Sequence, residues 1–116
     1  MSTQLQVLKS EFFRALAHPT RIRILERLVQ GEQSVQDLQS ALVLDQPVVS
    51  QHLAALRARN VVTVRREGTQ AYYALRSPLV ADLLRVAREF LNRRLSESQS
   101  ESQSMLRELK REDRQG

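Results

Sequence analysis

The chain has 116 residues and a formal net charge of +5, with 41% hydrophobic residues and no cysteine. This length fits one domain with a modest core, small enough for a dimer interface to supply a good part of its buried surface. The lack of cysteine excludes disulfides, thiolate metal sites and thiol redox switching. With no apolar run of about 18 residues and no charged-then-apolar leader, the sequence predicts a cytoplasmic protein without a membrane span or secretory signal.

Apolar spacing predicts two consecutive helices in the first 30 residues. The marker residues of the first helix are Leu5, Leu8, Phe12 and Leu16. Pro19 follows in the segment "HPT", where its fixed φ suits the first turn of a second helix. The second helix is expected to end at Gly31 and to turn one stripe inward, made of Ile22, Leu25, Leu28 and Val29.

A short third helix and a fourth helix follow, separated by the turn "LVLD". Ser34 is the expected N-cap of the third helix, bonding toward Asp37, and Asp45 is the expected N-cap of the fourth. The inward residues of the third helix are Val35, Leu38 and Leu42. Those of the fourth helix are Val49, Leu53 and Leu56.

The fourth helix, in the segment "DQPVVSQHLAALR", has an unusual outer face. At about 100° per residue, the direction opposite its inward stripe is occupied by Pro47, Gln51, Ala55 and Ala58, with Val48 beside them. A helix that only needs solvation more usually carries Glu and Lys on this face. The small, uncharged side chains therefore predict close approach to another surface.

After Asn60 the apolar period changes from about 3.6 to 2, which predicts a β-hairpin. Its strands are "VVTVRRE" and "AYYALR", joined by the turn "GTQ", and alternation sends one of Tyr72 and Tyr73 into the core. Pro78 opens a last helix, with apolar residues at Leu79, Leu83, Val86, Phe90, Leu91 and Leu95. This order predicts a mainly α fold with a β-hairpin wing, the winged helix-turn-helix.

Positive charge is concentrated just beyond the front of the fourth helix. Between Gln46 and Arg76 five arginines stand against one glutamate, a net charge of +4. A polyanion such as DNA is the natural partner, because neutralised phosphates release condensed counterions. The hairpin carries groups that suit phosphates or the minor groove, namely Arg65, Arg66, Thr69 and Gln70. On charge alone, a solvated basic face is an equally good interpretation.

Four segments together resemble the ArsR family of bacterial winged-helix repressors: "FFRALAHPTRIRILERL", "SVQDLQSAL", "QPVVSQHLAALRARNVV" and "RREGTQAYYAL". The resemblance runs from about Phe12 to Leu95. It implies a dimer built from the first and last helices, an inverted-repeat operator in double-stranded DNA, and repression that typically lasts until an inducer arrives. By resemblance, the positions of the recognition helix are Gln46, Pro47, Val48, Ser50, Gln51 and His52.

The predicted site therefore has two parts. The DNA-binding set consists of the recognition-helix positions named above and five further residues: Arg57, Arg65, Arg66, Thr69 and Gln70. The dimerisation set is Leu5, Leu8, Phe12, Leu83, Phe90, Leu91 and Leu95. No phosphate loop or catalytic constellation occurs, so no catalytic residue is predicted. The alternative is a winged-helix protein interaction module that meets an acidic protein partner.

The metal-site motifs of the ArsR family, which the resemblance implies as candidates, do not occur in this sequence. The family's thiolate site lies at the start of the third helix, where this chain reads "SVQDL", and its last-helix site needs histidine, where this chain offers only Asp82 and Glu89. His18 and His52 are interpreted as structural or DNA-contacting residues. We predict no metal and no cofactor, and DNA binding that is insensitive to zinc, arsenite and oxidants. An organic inducer, another protein, or no inducer at all stay open.

Residues 96–116 form a polar extension to a domain that spans residues 1–95. The composition of "SESQSESQS" favours disorder. A 4–3 spacing typical of a coiled-coil seam nevertheless runs through it, with the residues Leu91, Leu95, Ser98, Ser102, Met105 and Leu109. We predict that the last helix continues past Leu95 and pairs with its dimer mate, with a flexible tail as the alternative.

Overall fold

The computed structural model describes the backbone of residues 2–115 and the side chains of residues 3–114. In chain order the elements are α1 (Ser2–Leu16), α2 (Pro19–Val29), β1 (Gln33–Ser34), α3 (Val35–Leu42), α4 (Gln46–Ala58), β2 (Val62–Glu67), β3 (Gln70–Leu75) and α5 (Pro78–Gln115). The predicted mainly α fold with a β-hairpin wing is confirmed. By its contacts the chain divides into two units, residues 1–82 and 83–116. None of the described helices is both long and apolar enough to cross a membrane.

The start of α2 is capped by His18, whose capping hydrogen bond the sequence analysis did not predict. His18 is the N-cap, and its Nδ1 accepts a hydrogen bond from the backbone N–H of Thr20 at 3.1 Å. Pro19 occupies the first turn, as predicted. The inward stripe of α2 differs from the prediction at two positions, since Ile24 is fully buried and Val29 is 47% exposed. Only the final packing decides which edge of an apolar stripe is covered.

The helix-turn-helix pair α3 and α4 begins with the predicted cap. The Ser34 hydroxyl accepts from the backbone N–H of Asp37 at 3.0 Å, and the Asp37 carboxylate accepts from the backbone N–H of Ser34 at 3.2 Å. This reciprocal capping box satisfies two N–H groups that a helix start leaves unpaired. Asp45 occupies the N-cap position of α4, as predicted, but its side chain makes no capping hydrogen bond. The turn between the two helices places Val43 in the left-handed region, with φ 55°.

The wing contains one more strand than the sequence predicted. β2 and β3 form the expected antiparallel hairpin, turned at Gly68 with φ 61°, and Arg65 lies opposite Tyr72 in the register. The short β1 adds to the outer edge of β3 and gives the strand order β1-β3-β2. Two residues are too few to show a period of 2, so β1 had no sequence signal. Tyr73 is the tyrosine that enters the core.

The core of the first unit holds α4 in place. Val49, Leu53 and Leu56 are each fully buried, as the spacing predicted, and they lie with Leu38 of α3 and Leu25 of α2 in one apolar set. The buried apolar side chains of the fourth helix therefore form a single stripe. The opposite side of this helix is left without apolar anchoring.

The last helix α5 is 38 residues long, about 57 Å at 1.5 Å per residue. It includes the segment "SESQSESQS", where composition alone favours disorder. In the single chain, most large apolar side chains along it are exposed by half or more: Leu79, Val86, Phe90, Leu91, Leu95, Met105, Leu106 and Leu109. A helix with this much uncovered apolar surface gains stability from a partner. The division between a domain 1–95 and an extension 96–116 stays a prediction.

Candidate nucleic-acid interface

The N-terminal half of α4 presents small and uncharged side chains outward. Pro47, Val48 and Gln51 are exposed, and the Gln51 amide has no hydrogen-bond partner among residues 3–114. Gln46 donates from Nε2 to the Ser50 hydroxyl at 2.7 Å, so these two polar groups are held together one turn apart. The exposed amide of Gln51 is free to offer a donor and an acceptor at the same time.

The C-terminal half of the same face has a different environment. Ala55 and Ala58 line a depression that α1 and α2 also border, so their small size has an intramolecular explanation. The surface open to a large partner is therefore narrower than the helical wheel predicted. Arg57 is exposed in the last turn of α4.

The two neighbouring arginines of the wing have different surroundings. Arg65 contacts two carboxylates, Glu32 at 2.7 Å and Glu67 at 2.6 Å, and its guanidinium lies 4.6 Å from the centre of the Tyr72 ring. The hydrogen bonds to Glu32 and to Glu67 raise the pKa of Arg65 above its ordinary value, and the Arg65 hydrogen bond lowers the pKa of Glu32. Arg66 has no ion pair with any described side chain. Arg65 and Arg66, both predicted to contact DNA, therefore differ in how far their charges are compensated within the chain.

A concave polar cleft of about 590 Å³ lies between the wing and the helix-turn-helix. The wing contributes Arg66, Thr69 and Gln70, and α4 contributes Gln46 and Ser50. The structure thus brings together five of the predicted DNA-binding residues. Two residues that the sequence analysis missed also line this cleft, Gln36 and Gln39 of α3. Their signal in the sequence was their spacing of three, which places both on one polar side of a short helix.

Comparison with known proteins gives the family. The family model described as "Bacterial regulatory protein, arsR family" matches residues 18–64 of this chain. An uncharacterized HTH-type transcriptional regulator of Mycobacterium tuberculosis, Rv0081, is 48% identical over 97 residues, which cover 83% of this chain and 85% of the relative. The chain belongs to the ArsR family. As a member of this family it is a winged-helix DNA-binding transcriptional regulator.

Solved structures of ArsR-family and related regulators share the fold. The crystal structure of M. tuberculosis Rv0081 matches with a TM-score of 0.75 and 48% identity, over 80% of this chain and 94% of that chain. The solution structure of the homodimeric winged helix-turn-helix DNA-binding domain of Mb0332 from Mycobacterium bovis matches with a TM-score of 0.76 and 30% identity, over 83% and 89%. A probable mercury resistance operon repressor of Streptomyces lividans is 39% identical over 79 residues, which cover 68% of this chain and 63% of the repressor.

The place of the ArsR thiolate site is used differently in this chain. Ser34 and Asp37, within "SVQDL", are occupied by the capping box of α3. Among the residues described, no group of three or more His, Cys, Asp or Glu side chains is arranged to hold a metal ion. The insensitivity of DNA binding to metals stays a prediction.

The two histidines, which lie in separate sequence segments, meet in the structure. The His18 and His52 rings lie 4.5 Å apart between centroids, and Arg21 donates from Nε to His52 Nδ1 at 3.2 Å. These contacts connect α4 to the start of α2. His52 was predicted to bind DNA, and the geometry also makes it a residue that positions α4. Nothing in the sequence pattern indicated this pairing.

Acid is expected to destabilise the protein through His52. Partial burial, followed by the positive charges of His18 and Arg21, lowers the pKa of His52. Because the folded pKa lies below the unfolded one, the folded state favours neutral His52, whose stabilising contribution is present above about pH 6.5 and is lost as the pH falls through the folded pKa. We expect the melting temperature to fall between pH 7 and pH 5, and to fall less in His52→Asn, whose amide oxygen can still accept from Arg21. Equal acid sensitivity of the two proteins would contradict this role.

Proposed function

We propose that the protein is a homodimeric repressor that reads an inverted-repeat operator through the N-terminal half of α4 and the wing. The observation that carries this proposal is the polar cleft, which is lined by Gln46 and Ser50 of α4 together with Arg66 of the wing. A helix with small outward side chains can enter a major groove about 12 Å wide. The wing beside it supplies contacts to the flanking backbone.

The charge pattern supports phosphate binding at this surface. Of the five arginines between Gln46 and Arg76, two are committed to carboxylates within the chain, Arg59 to Glu11 and Arg65 to Glu32 and Glu67. Arg57, Arg66 and Arg76 form no ion pair with the described side chains. Of these three uncompensated guanidinium groups Arg66 lines the cleft, and their excess positive charge favours a polyanion over a merely solvated surface.

Selection of bound duplexes from a random pool tests the proposal. The expected result is an inverted repeat, bound with roughly 10³-fold or greater preference over random DNA at physiological salt. Affinity is expected to fall steeply as salt rises, because counterions are released. An interaction module with an acidic protein partner would enrich no sequence, and that result would refute the operator.

The two wing arginines are expected to contribute unequally to DNA affinity. Arg66→Ala should weaken operator and random DNA alike and reduce the slope of log affinity against log salt by about 1. Arg65→Ala is the matched control, and its effect should be smaller because Arg65 is already bound to Glu32 and Glu67. Fluorescence anisotropy across a salt series measures both slopes. A loss limited to the specific operator, or a larger effect of Arg65→Ala, would contradict the assignment.

Dimerisation through α1 and α5 is supported by the exposure of the predicted contact residues. In the single chain five of the seven are more than half exposed: Leu5, Leu8, Phe90, Leu91 and Leu95. Phe12 and Leu83 are half-buried. Such surfaces are stabilised when a second copy covers them. The solved winged helix-turn-helix DNA-binding domain of Mb0332 is itself homodimeric.

Charges placed on the α5 seam are expected to weaken the dimer. The double substitution Leu91→Glu and Leu95→Glu should raise the dimer dissociation constant by about tenfold or more, because carboxylates would be buried in an apolar contact. The control is the same pair moved one residue along, Asn92→Glu and Ser96→Glu, which turns both charges by about 100° around the helix. Analytical ultracentrifugation measures both constants. Equal dissociation of the two variants would exclude the seam.

A further inference from the structure

A second concave surface, which we call the arginine pocket, shares no lining residue with the polar cleft. It has a volume of about 250 Å³ and is bordered by α1, α2 and α4. Three arginines and one glutamate line it: Arg14, Arg21, Arg59 and Glu11. With three positive charges against one negative charge, the pocket carries a net charge of about +2.

The arginines of this pocket have guanidinium N–H groups that make no hydrogen bond to the described residues. Arg59 donates to Glu11 at 2.9 Å through one terminal nitrogen. Arg14 has no ion pair with any of the described side chains. The pocket therefore combines one carboxylate that is already bound with donors that are available for another anion.

Arg21 is held in position before any ligand arrives. Its Nε donates to His52 Nδ1 at 3.2 Å, and one terminal nitrogen donates to the carbonyl of Ala15 at 3.1 Å. Its other terminal nitrogen makes no hydrogen bond within residues 3–114. A guanidinium that is already ordered loses less entropy on binding, and its planar fork matches carboxylate and phosphate oxygens.

The shape of the pocket sets the size and chemistry of its occupant. Its remaining lining is alanine, from Ala15, Ala55 and Ala58, so the helices leave space that larger side chains would fill. The volume is below the range of about 300–1,000 Å³ that is typical of sites for drug-sized ligands. A small apolar molecule would leave the guanidinium groups without partners, whereas a small oxyanion would pair with them.

We propose that the arginine pocket binds a small oxyanion, a phosphate or carboxylate group held by Arg14, Arg21 and Arg59. The oxyanion competes with Glu11 for Arg59. Arg21 also donates a hydrogen bond to His52 of α4, the recognition helix. An oxyanion bound by Arg14 and Arg21 would therefore link α1 to that helix. The same chemistry has two sources, a free anion or a phosphodiester of bound DNA.

Titration of the full chain with inorganic phosphate tests the site without DNA. At constant ionic strength, with chloride as the reference anion, phosphate is expected to raise the melting temperature of the wild type. Arg14→Gln and Arg59→Gln should each weaken phosphate binding by about tenfold or more, because each removes a charge-assisted hydrogen bond. Glu11→Gln should tighten it, because the competing carboxylate is gone.

Arg93→Gln is the control, since it makes the same charge change on an exposed part of α5. It corrects for the general stabilisation that phosphate gives by exclusion from protein surfaces. If phosphate raises the melting temperature equally in the wild type, in the three pocket variants and in this control, the pocket is not an oxyanion site.

A second measurement distinguishes the two sources. If DNA supplies the phosphate, Arg14→Gln and Arg59→Gln should each reduce the salt slope of operator binding by about 1. If a free anion is the ligand, the slope should stay unchanged, and phosphate should alter operator affinity in the wild type and not in these variants. Phosphate binding in a protein that selects no operator would support the pocket and refute the proposed repressor, so the two failures are separable.

Discussion

Replacing Gln51 with Ala is expected to weaken operator binding by about 1–3 kcal/mol and to relax the preference at one base pair in each half-site. Gln51 lies on the exposed front of α4, and no described side chain or backbone group occupies its amide. A glutamine amide can donate to and accept from adenine N6 and N7 together. Removal of the amide leaves those base edges unpaired, which costs more than the loss of a contact to water.

Gln103→Ala provides the matched control for this substitution, since Gln103 is also exposed but lies on the distal part of α5. Its operator affinity should equal that of the wild type. The measurement is a competition series in which each base pair of the half-site is changed in turn. If Gln51→Ala keeps both the affinity and the full base preference, the assignment of this face is wrong.

Replacing Leu53 with Ala is expected to lower the free energy of unfolding by about 2–5 kcal/mol. Leu53 is fully buried in the middle of the stripe that anchors α4. The substitution removes apolar contacts and leaves a cavity that close-packed neighbours fill only in part. Domains of this kind are stable by about 5–15 kcal/mol, so the loss is a large fraction of the total.

The comparison is Leu79→Ala, because Leu79 is 72% exposed and the substitution deletes the same atoms. Its effect should be within about 0.5 kcal/mol of zero. Urea unfolding at a fixed protomer concentration measures both, since association with a partner changes apparent stability. A Leu53→Ala protein as stable as Leu79→Ala would show that α4 is held by other contacts.

Local signals were sufficient for the order of the helices and of the two hairpin strands. The N-cap Ser34, the stripe of Val49, Leu53 and Leu56, and the hairpin turn at Gly68 all formed as predicted. Each of these features depends on residues a few positions apart, where helical or strand periodicity and capping chemistry act directly. The sequence by itself therefore determined the fold class and the outward direction of Gln51.

Tertiary structure decided the contacts that give the site its electrostatics. Arg21 meets His52 across 31 positions, Arg65 meets Glu32 across 33, and Arg59 meets Glu11 across 48. Periodicity reports which side of an element is apolar, but it carries no information about which charged side chain of another element lies opposite. Packing of the elements sets the distances over which charges and hydrogen bonds act. The ion pair of Arg65 with Glu32, the pairing of strand β1 and the arginine pocket therefore arise only in the packed structure.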